Sequence, residues 1–231
     1  MKKLILLTLL VASTQSVRAQ SIAAGTISLG GSIGYGQDTN KGNYNVNGTA
    51  NSFETKSSEF RFSPAVGYFV ADNLAIGLEL GYTAYRRAYT TRTPAPGMMR
   101  AELNPTTTLR VGPYVQYYKM LSEQFGILGT LGGGYQNVRQ YDYSGNGNNA
   151  LITEQKASGL YAALTPGLIF FPIPKFGISA SVGSLGYSRL NYDYPTNSGT
   201  KPDGYDGSSS RLGASFGFDQ LQFGGTFYLG R

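Results

Sequence analysis

From residue 25 onward, apolar and polar positions alternate with a period of two. Over 74–83 one parity reads Leu74, Ile76, Leu78, Leu80, Tyr82 and the other Ala75, Gly77, Glu79, Gly81, Thr83. The stretch before it sets Phe60, Phe62, Pro64, Val66 and Tyr68 against Glu59, Arg61, Ser63, Ala65 and Gly67. Successive side chains of a strand point to opposite faces, so each run predicts a strand with one oily face and one small or charged face. Eight such strands are predicted, at 25–36, 58–70, 74–86, 106–120, 125–138, 158–171, 176–188 and 209–229. No sustained helical period with a cap is present, and the expected class is all-β. The connections alternate between short (71–73, 121–124, 172–175) and long, polar ones of about twenty residues (37–57, 87–105, 139–157, 189–208).

One unit recurs within this pattern. A proline is followed four and five residues later by two aromatics at Pro64/Tyr68-Phe69, Pro113/Tyr117-Tyr118 and Pro166/Phe170-Phe171. Each unit runs through a short turn to a Gly-Tyr at Tyr82, Tyr135 or Tyr187, and Tyr35 closes the first run. A propeller blade would need four strands per period, whereas each period here supplies two. Mid-strand prolines lack an N–H for the neighbouring strand, so their regular placement predicts a kink or bulge.

Alternation alone fits a soluble barrel or sandwich with its apolar face inward, or a membrane barrel with that face outward. The polar parity is mostly Gly, Ser and Ala with a few charges, which would make a poor soluble exterior but suits a narrow lumen. Aromatics gather at strand ends: Tyr35, Phe60, Tyr82, Tyr135 and Tyr187 toward the long loops, and Tyr68, Phe69, Tyr117, Tyr118, Phe125, Phe170, Phe171, Phe176, Phe227 and Tyr228 toward the short turns. Two aromatic belts bracketing an apolar band of about ten residues per strand match a bilayer with two interfaces. In hydrocarbon every backbone polar group must be paired, so only a closed barrel serves.

Residues 63–77, with Val111-Gly112-Pro113-Tyr114-Val115 and Leu185-Gly186-Tyr187-Ser188, carry a resemblance to the small, porin-like outer-membrane β-barrel family of OmpA/OmpX type. The resemblance covers nearly all of 20–231 and implies an eight-stranded antiparallel up-and-down barrel in the cell outer membrane. It also implies contact with outer-membrane lipid and with the barrel-assembly machinery during insertion. Members of that family usually end on an aromatic; here Phe227 and Leu229 precede Gly230-Arg231, so the aromatic is displaced inward.

The first residues agree with export. Lys2 and Lys3, an apolar run from Leu4 to Ala12, and Val17-Arg18-Ala19 read as a signal peptide over 1–19, leaving 20–231 as one barrel domain. The apolar run is far short of the ~20 residues of a spanning helix. Removing Lys2, Lys3 and Arg18 from 19 bases against 13 acids leaves 16 − 13, or +3, with no basic run to suggest nucleic acid. There is no cysteine, so no disulfide braces the exported chain.

There is also no histidine. Ser-His and Asp-His hydrolytic sites need a near-neutral base, so the expectation is a protein without catalysis, cofactor or metal. The charges of the polar parity, Glu59, Arg61, Glu79, Arg110 and Arg211, are expected to face the lumen. Both signs are present, which predicts paired charges plugging an interior just wide enough for side chains. The leading expectation is a monomer with a structural or surface-interaction role, through its long loops, toward a surface ligand or partner. The alternative is a narrow porin-like channel for small solutes, and last a membrane-embedded lipid-modifying enzyme. The triplets Tyr141-Asp142-Tyr143 and Tyr192-Asp193-Tyr194 read either as exposed contact residues or as strand extensions beyond the membrane.

Overall fold

The computed structural model describes residues 21–92, 99–101, 104–144, 151–196 and 198–230. The leader at 1–19 lies outside the described residues. Eleven strands are present: β1 (Ile27–Val46), β2 (Thr49–Ala71), β3 (Leu74–Arg92), β4 (Met99–Ala101), β5 (Thr106–Met120), β6 (Phe125–Ser144), β7 (Leu151–Ile173), β8 (Phe176–Val182), β9 (Ser184–Tyr192), β10 (Gly207–Ser215) and β11 (Leu221–Leu229). The short β4 only extends the edge of β3, while β8 with β9 and β10 with β11 each make one broken wall strand, so the ring has eight members. Every pairing is antiparallel between neighbours along the chain, and β1 pairs with β11 from Ile27↔Leu229 to Ile33↔Phe223 to close the cylinder.

The apolar parity faces out. Leu78, Leu160 and Leu168 are each at least 60 % exposed, and Ile33, Phe62, Ile76, Leu80 and Leu131 stand out beside them. A water-soluble barrel would have turned these side chains inward. On β2 the outward apolar run from Phe60 to Tyr68 spans nine residues, within the ~9–11 that a tilted strand needs to cross a bilayer.

The first expected long loop is instead a hairpin. β1 and β2 stay paired to Val46↔Thr49, leaving a two-residue turn at Asn47-Gly48 with φ of 50° and 78°. Positive φ at both central residues is the twist-matched turn that Asn-Gly favours. β6 and β7 likewise stay paired to Ser144↔Leu151, so Tyr141-Asp142-Tyr143 is strand rather than loop. In the last connection, Tyr192 ends β9 and the chain is irregular over 193–196 and 198–206.

The three prolines sit at interruptions of the ladder. Between β2 and β3 pairing skips from Phe62↔Tyr82 to Ala65↔Glu79, and between β5 and β6 from Val111↔Tyr135 to Tyr114↔Gly132, with register kept. At the third, pairing moves from Gly167↔Ser181 to Leu164↔Leu185, so the partner strand carries one extra residue. That bulge is Gly183, at φ 75°.

Candidate functional site

Each hairpin places one aromatic ring inside the cylinder at the short-turn end. Phe69, Tyr118, Phe171 and Tyr228 are almost wholly buried and pack around one another, with ring centroids 5.2 to 6.3 Å apart. Each donates its backbone N–H to the wall or turn beside it, to the carbonyls of Thr26, Asn73, Gln124 and Lys175. The Tyr118 hydroxyl donates to Gln116 Oε1 at 2.5 Å, so its one proton is committed and the Tyr228 hydroxyl, 3.1 Å away, donates to it. Ile22 completes this floor from below. Its N–H is held by Asn73 Oδ1 at 2.9 Å, and its carbonyl accepts the Asn73 N–H at 2.9 Å. Ile169 and Leu128 fill the rim.

The expectation that Phe69, Tyr118, Phe171 and Tyr228 belong to the outer aromatic belt is therefore corrected, and with it the lumen of small and charged residues alone. Adjacent strand residues point to opposite faces, so in each aromatic pair one ring must go in. Tyr68 and Tyr117 stand outside, as do Phe125, tilted against Phe170, and Phe176, tilted against Phe227, both pairs at 4.7 Å. At the other end Tyr35, Tyr82, Tyr135 and Tyr187 face outward from four strands.

Above the floor the glycines of the polar parity leave space. A lower cavity of about 160 Å³ is bordered by Ser28, Tyr114, Gln116 and Glu79. It leads to an upper vestibule of about 500 Å³ that brings Glu59, Arg61, Glu79, Arg110 and Arg211 around one space. Their pairing is uneven. Arg61 Nε is bonded to Glu59 Oε1, and its other nitrogen reaches Gln220 Oε1 at 3.1 Å. Among the described residues Arg110 has no ion pair; its Nε donates to Gln136 Oε1 at 3.3 Å and its guanidinium lies over the Tyr161 ring at 5.0 Å. The vestibule thus holds water-accessible charge in place of the expected plug of matched pairs. Tyr161, Gln220 and Gln222 complete its wall, with the buried Gln136 behind Arg110, and the sequence pattern alone gave no reason to select them.

The wall is open on one side. Among the described residues, β1 beyond Ile33 pairs only with β2, while β10 pairs only with β9. Residues 216–220 leave the wall here in a short 3-10 turn, Phe218–Gln220, opposite the bulge at Gly183. A space of about 370 Å³ lies in this slit, between Tyr35 and Phe218 outside and Gly34, Glu59, Arg61 and Gln220 inside. Its outer lip is apolar, with Leu212 at 75 % and Phe218 at 91 % exposure. Unpaired edges in lipid are costly, which makes the slit a distinct feature of the upper wall. Among the described residues no group of His, Cys, Asp and Glu comes together to hold a metal ion.

A closed antiparallel barrel with an outward apolar band, aromatic residues at both margins and a polar interior defines a membrane-spanning β-barrel of the outer-membrane type. No family model matches the chain, and no curated protein matches it. Among solved structures it is similar to the outer membrane protein OprG of Pseudomonas aeruginosa, at 15 % identity over 91 % of this chain and 98 % of that one, with a TM-score of 0.44. It is also similar to the N-terminal β-barrel domain of Pseudomonas aeruginosa OprF, at 12 % identity over 91 % of this chain and 100 % of that one, with a TM-score of 0.35.

Proposed function

We propose that the protein resides in the outer membrane and works from its surface-facing half, meeting molecules through its vestibule and extended hairpins without conducting along its axis. The floor carries this reading: four interlocked rings and Ile22, all almost wholly buried, fill the short-turn end of the cylinder below the lower cavity. The paired extensions of β1–β2 and β6–β7 present two rigid hairpins above the membrane, suited to contact a surface ligand or partner. In a planar bilayer the purified protein is expected to show no steady conductance, and the double change Phe69→Ala, Tyr228→Ala is expected to open one. Steady openings of the unaltered protein that vanish on changing Glu79 or Arg110 would instead support an axial channel.

A second reading is favoured by the slit. A vestibule closed below and open sideways suits small amphipathic solutes, which could enter from the surface and leave into the outer leaflet between β1 and β10. The apolar lip at Leu212 and Phe218 beside the polar Arg61–Gln220 contact supports it.

A further inference from the structure

Above the outer aromatics, among the described side chains, the outward-facing parity of six strands carries one base each. They are Lys41 beyond Tyr35, Lys56 beyond Phe60, Arg86 beyond Tyr82, Arg139 beyond Tyr135, Lys156 beyond Leu160 and Arg189 beyond Tyr187. Each lies two to six residues past its partner on the same face, or ~7–20 Å along a strand rising ~3.3 Å per residue. Facing them, among the described side chains, are Glu54, Glu154 and the exposed Asp193, whose N–H donates to the Lys156 carbonyl, so six bases less these three acids leave +3. At the short-turn end the exposed Lys119 and Lys175 are balanced by Asp72 and Glu123. The excess therefore marks one membrane interface.

The bases gather in two patches on opposite sides of the ring. On β1–β2, Lys41 and Lys56 both reach Oε1 of Glu54, at 3.6 and 3.1 Å, and Arg86, paired with Ser58, sits diagonally beside Lys56. On β6–β7, Arg139 and Lys156 both reach Oε1 of Glu154, at 3.1 and 4.0 Å. Arg139 and Lys156 are directly opposite in the register, a like-charge placement that is unfavourable unless an anion joins it. One carboxylate cannot neutralise two cations, so the Lys41–Glu54–Lys56 triad keeps a positive charge; around Glu154 the exposed Asp193 beside Lys156 is offset by Arg189 on the neighbouring strand, and a positive charge again remains. Hydrogen bonding from Lys56 already holds the Glu54 carboxyl below the ordinary carboxylate range.

We propose that these two patches bind the phosphates of an anionic, phosphate-bearing lipid in the leaflet at the hairpin end, its acyl chains lying on the apolar band beneath. The continuity of Phe62 and Phe60 with Lys56, and of Ile33 and Tyr35 with Lys41, matches one molecule that is greasy below and anionic above. The proposal rests on the membrane placement given above but on neither the floor nor the slit.

The test is titration of the folded, detergent-held protein with diphosphoryl lipid A, with the same lipid after dephosphorylation, and with inorganic phosphate. Binding is expected for the phosphorylated lipid, about fivefold weaker for each cation removed in Lys56→Gln and Arg139→Gln. Glu54→Gln is expected to tighten it, a direction that misfolding cannot imitate. Equal affinity for the dephosphorylated lipid, equal affinity for inorganic phosphate, or indifference to all three substitutions overturns the proposal. A barrel that still migrates as folded but binds no lipid A would defeat this inference while leaving the membrane placement intact.

Discussion

Gly67 carries no side chain because Tyr114 lies where one would go. A Cβ built there would stand 2.5 Å from the Tyr114 hydroxyl and 2.6 Å from Ser28 Oγ, closer than real contacts allow. Gly67→Ala is therefore expected to destabilise the barrel by about 1–3 kcal/mol, as overpacking does. In a Tyr114→Leu background most of that increment should disappear, since neighbours that share a contact do not add. Urea unfolding in lipid vesicles measures it, and simple additivity would remove Tyr114 as the cause. At this scale the sequence was legible where it alternated, and misread where period two was not followed through. Tyr68-Phe69, Tyr117-Tyr118, Phe170-Phe171 and Phe227-Tyr228 are adjacent pairs, so placing both members outside contradicts the pleat. The interior rings were recoverable from that rule alone. The glutamines of the vestibule were not, because a polar residue on the inward parity looks the same whether it fills space or lines a cavity.

Hairpins explain why the long loops were overestimated. Within the membrane the two faces of a strand meet lipid and lumen, and the contrast writes a strong alternating signal. Above the membrane both faces meet water, so β1 and β2 continue through Asn, Thr, Ser and Lys with no such signal. The Asn47-Gly48 pair was the surviving clue to a tight turn. The Lys–Glu–Lys triad near that turn has a pH signature. Because Lys56, aided by the charge of Lys41, depresses the Glu54 carboxyl against a smaller desolvation effect, the interaction stabilises the fold above the ordinary carboxylate range. It is lost as pH falls through the depressed value. Amide exchange at 40–46 and 49–55 is expected to quicken over that acidic window, and to lose this pH dependence in Lys56→Gln; identical profiles in both proteins would sink the assignment. The broken final strand was hidden for a different reason: 209–229 reads as one alternating run, and only the pairing opposite Gly183 reveals that 216–220 leave the wall.

The whole molecule is a cup with a notch in its rim. The eight-membered ring, its direction of facing and the clustering of its five lumen charges were all readable from residue parity, since closure in lipid admits few alternatives. The notch was not, because it depends on where β1 stops pairing with β11, a property of register and not of composition. Gly34 stands at its inner edge, where an added Cβ would meet Gln222 at 3.2 Å and Arg61 at 3.7 Å. Gly34→Leu is expected to obstruct the gap and slow entry of a small amphipathic dye into vesicles carrying the folded protein, while the mobility shift on heating is kept. Unchanged uptake would rule out the sideways route.

The stopper is delivered in instalments. Three rings arrive with successive hairpins, Ile22 with the opening segment and Tyr228 only with the last strand, so the lower mouth cannot be corked until the ends of the wall have met. On the proposed closed floor, a half-built cylinder would leak and a finished one would not, which would tie membrane integrity to completion of assembly. Since the chain contains no tryptophan, its intrinsic ultraviolet emission comes from tyrosine, and the coming together of Tyr118 and Tyr228 gives that last event an optical marker of its own.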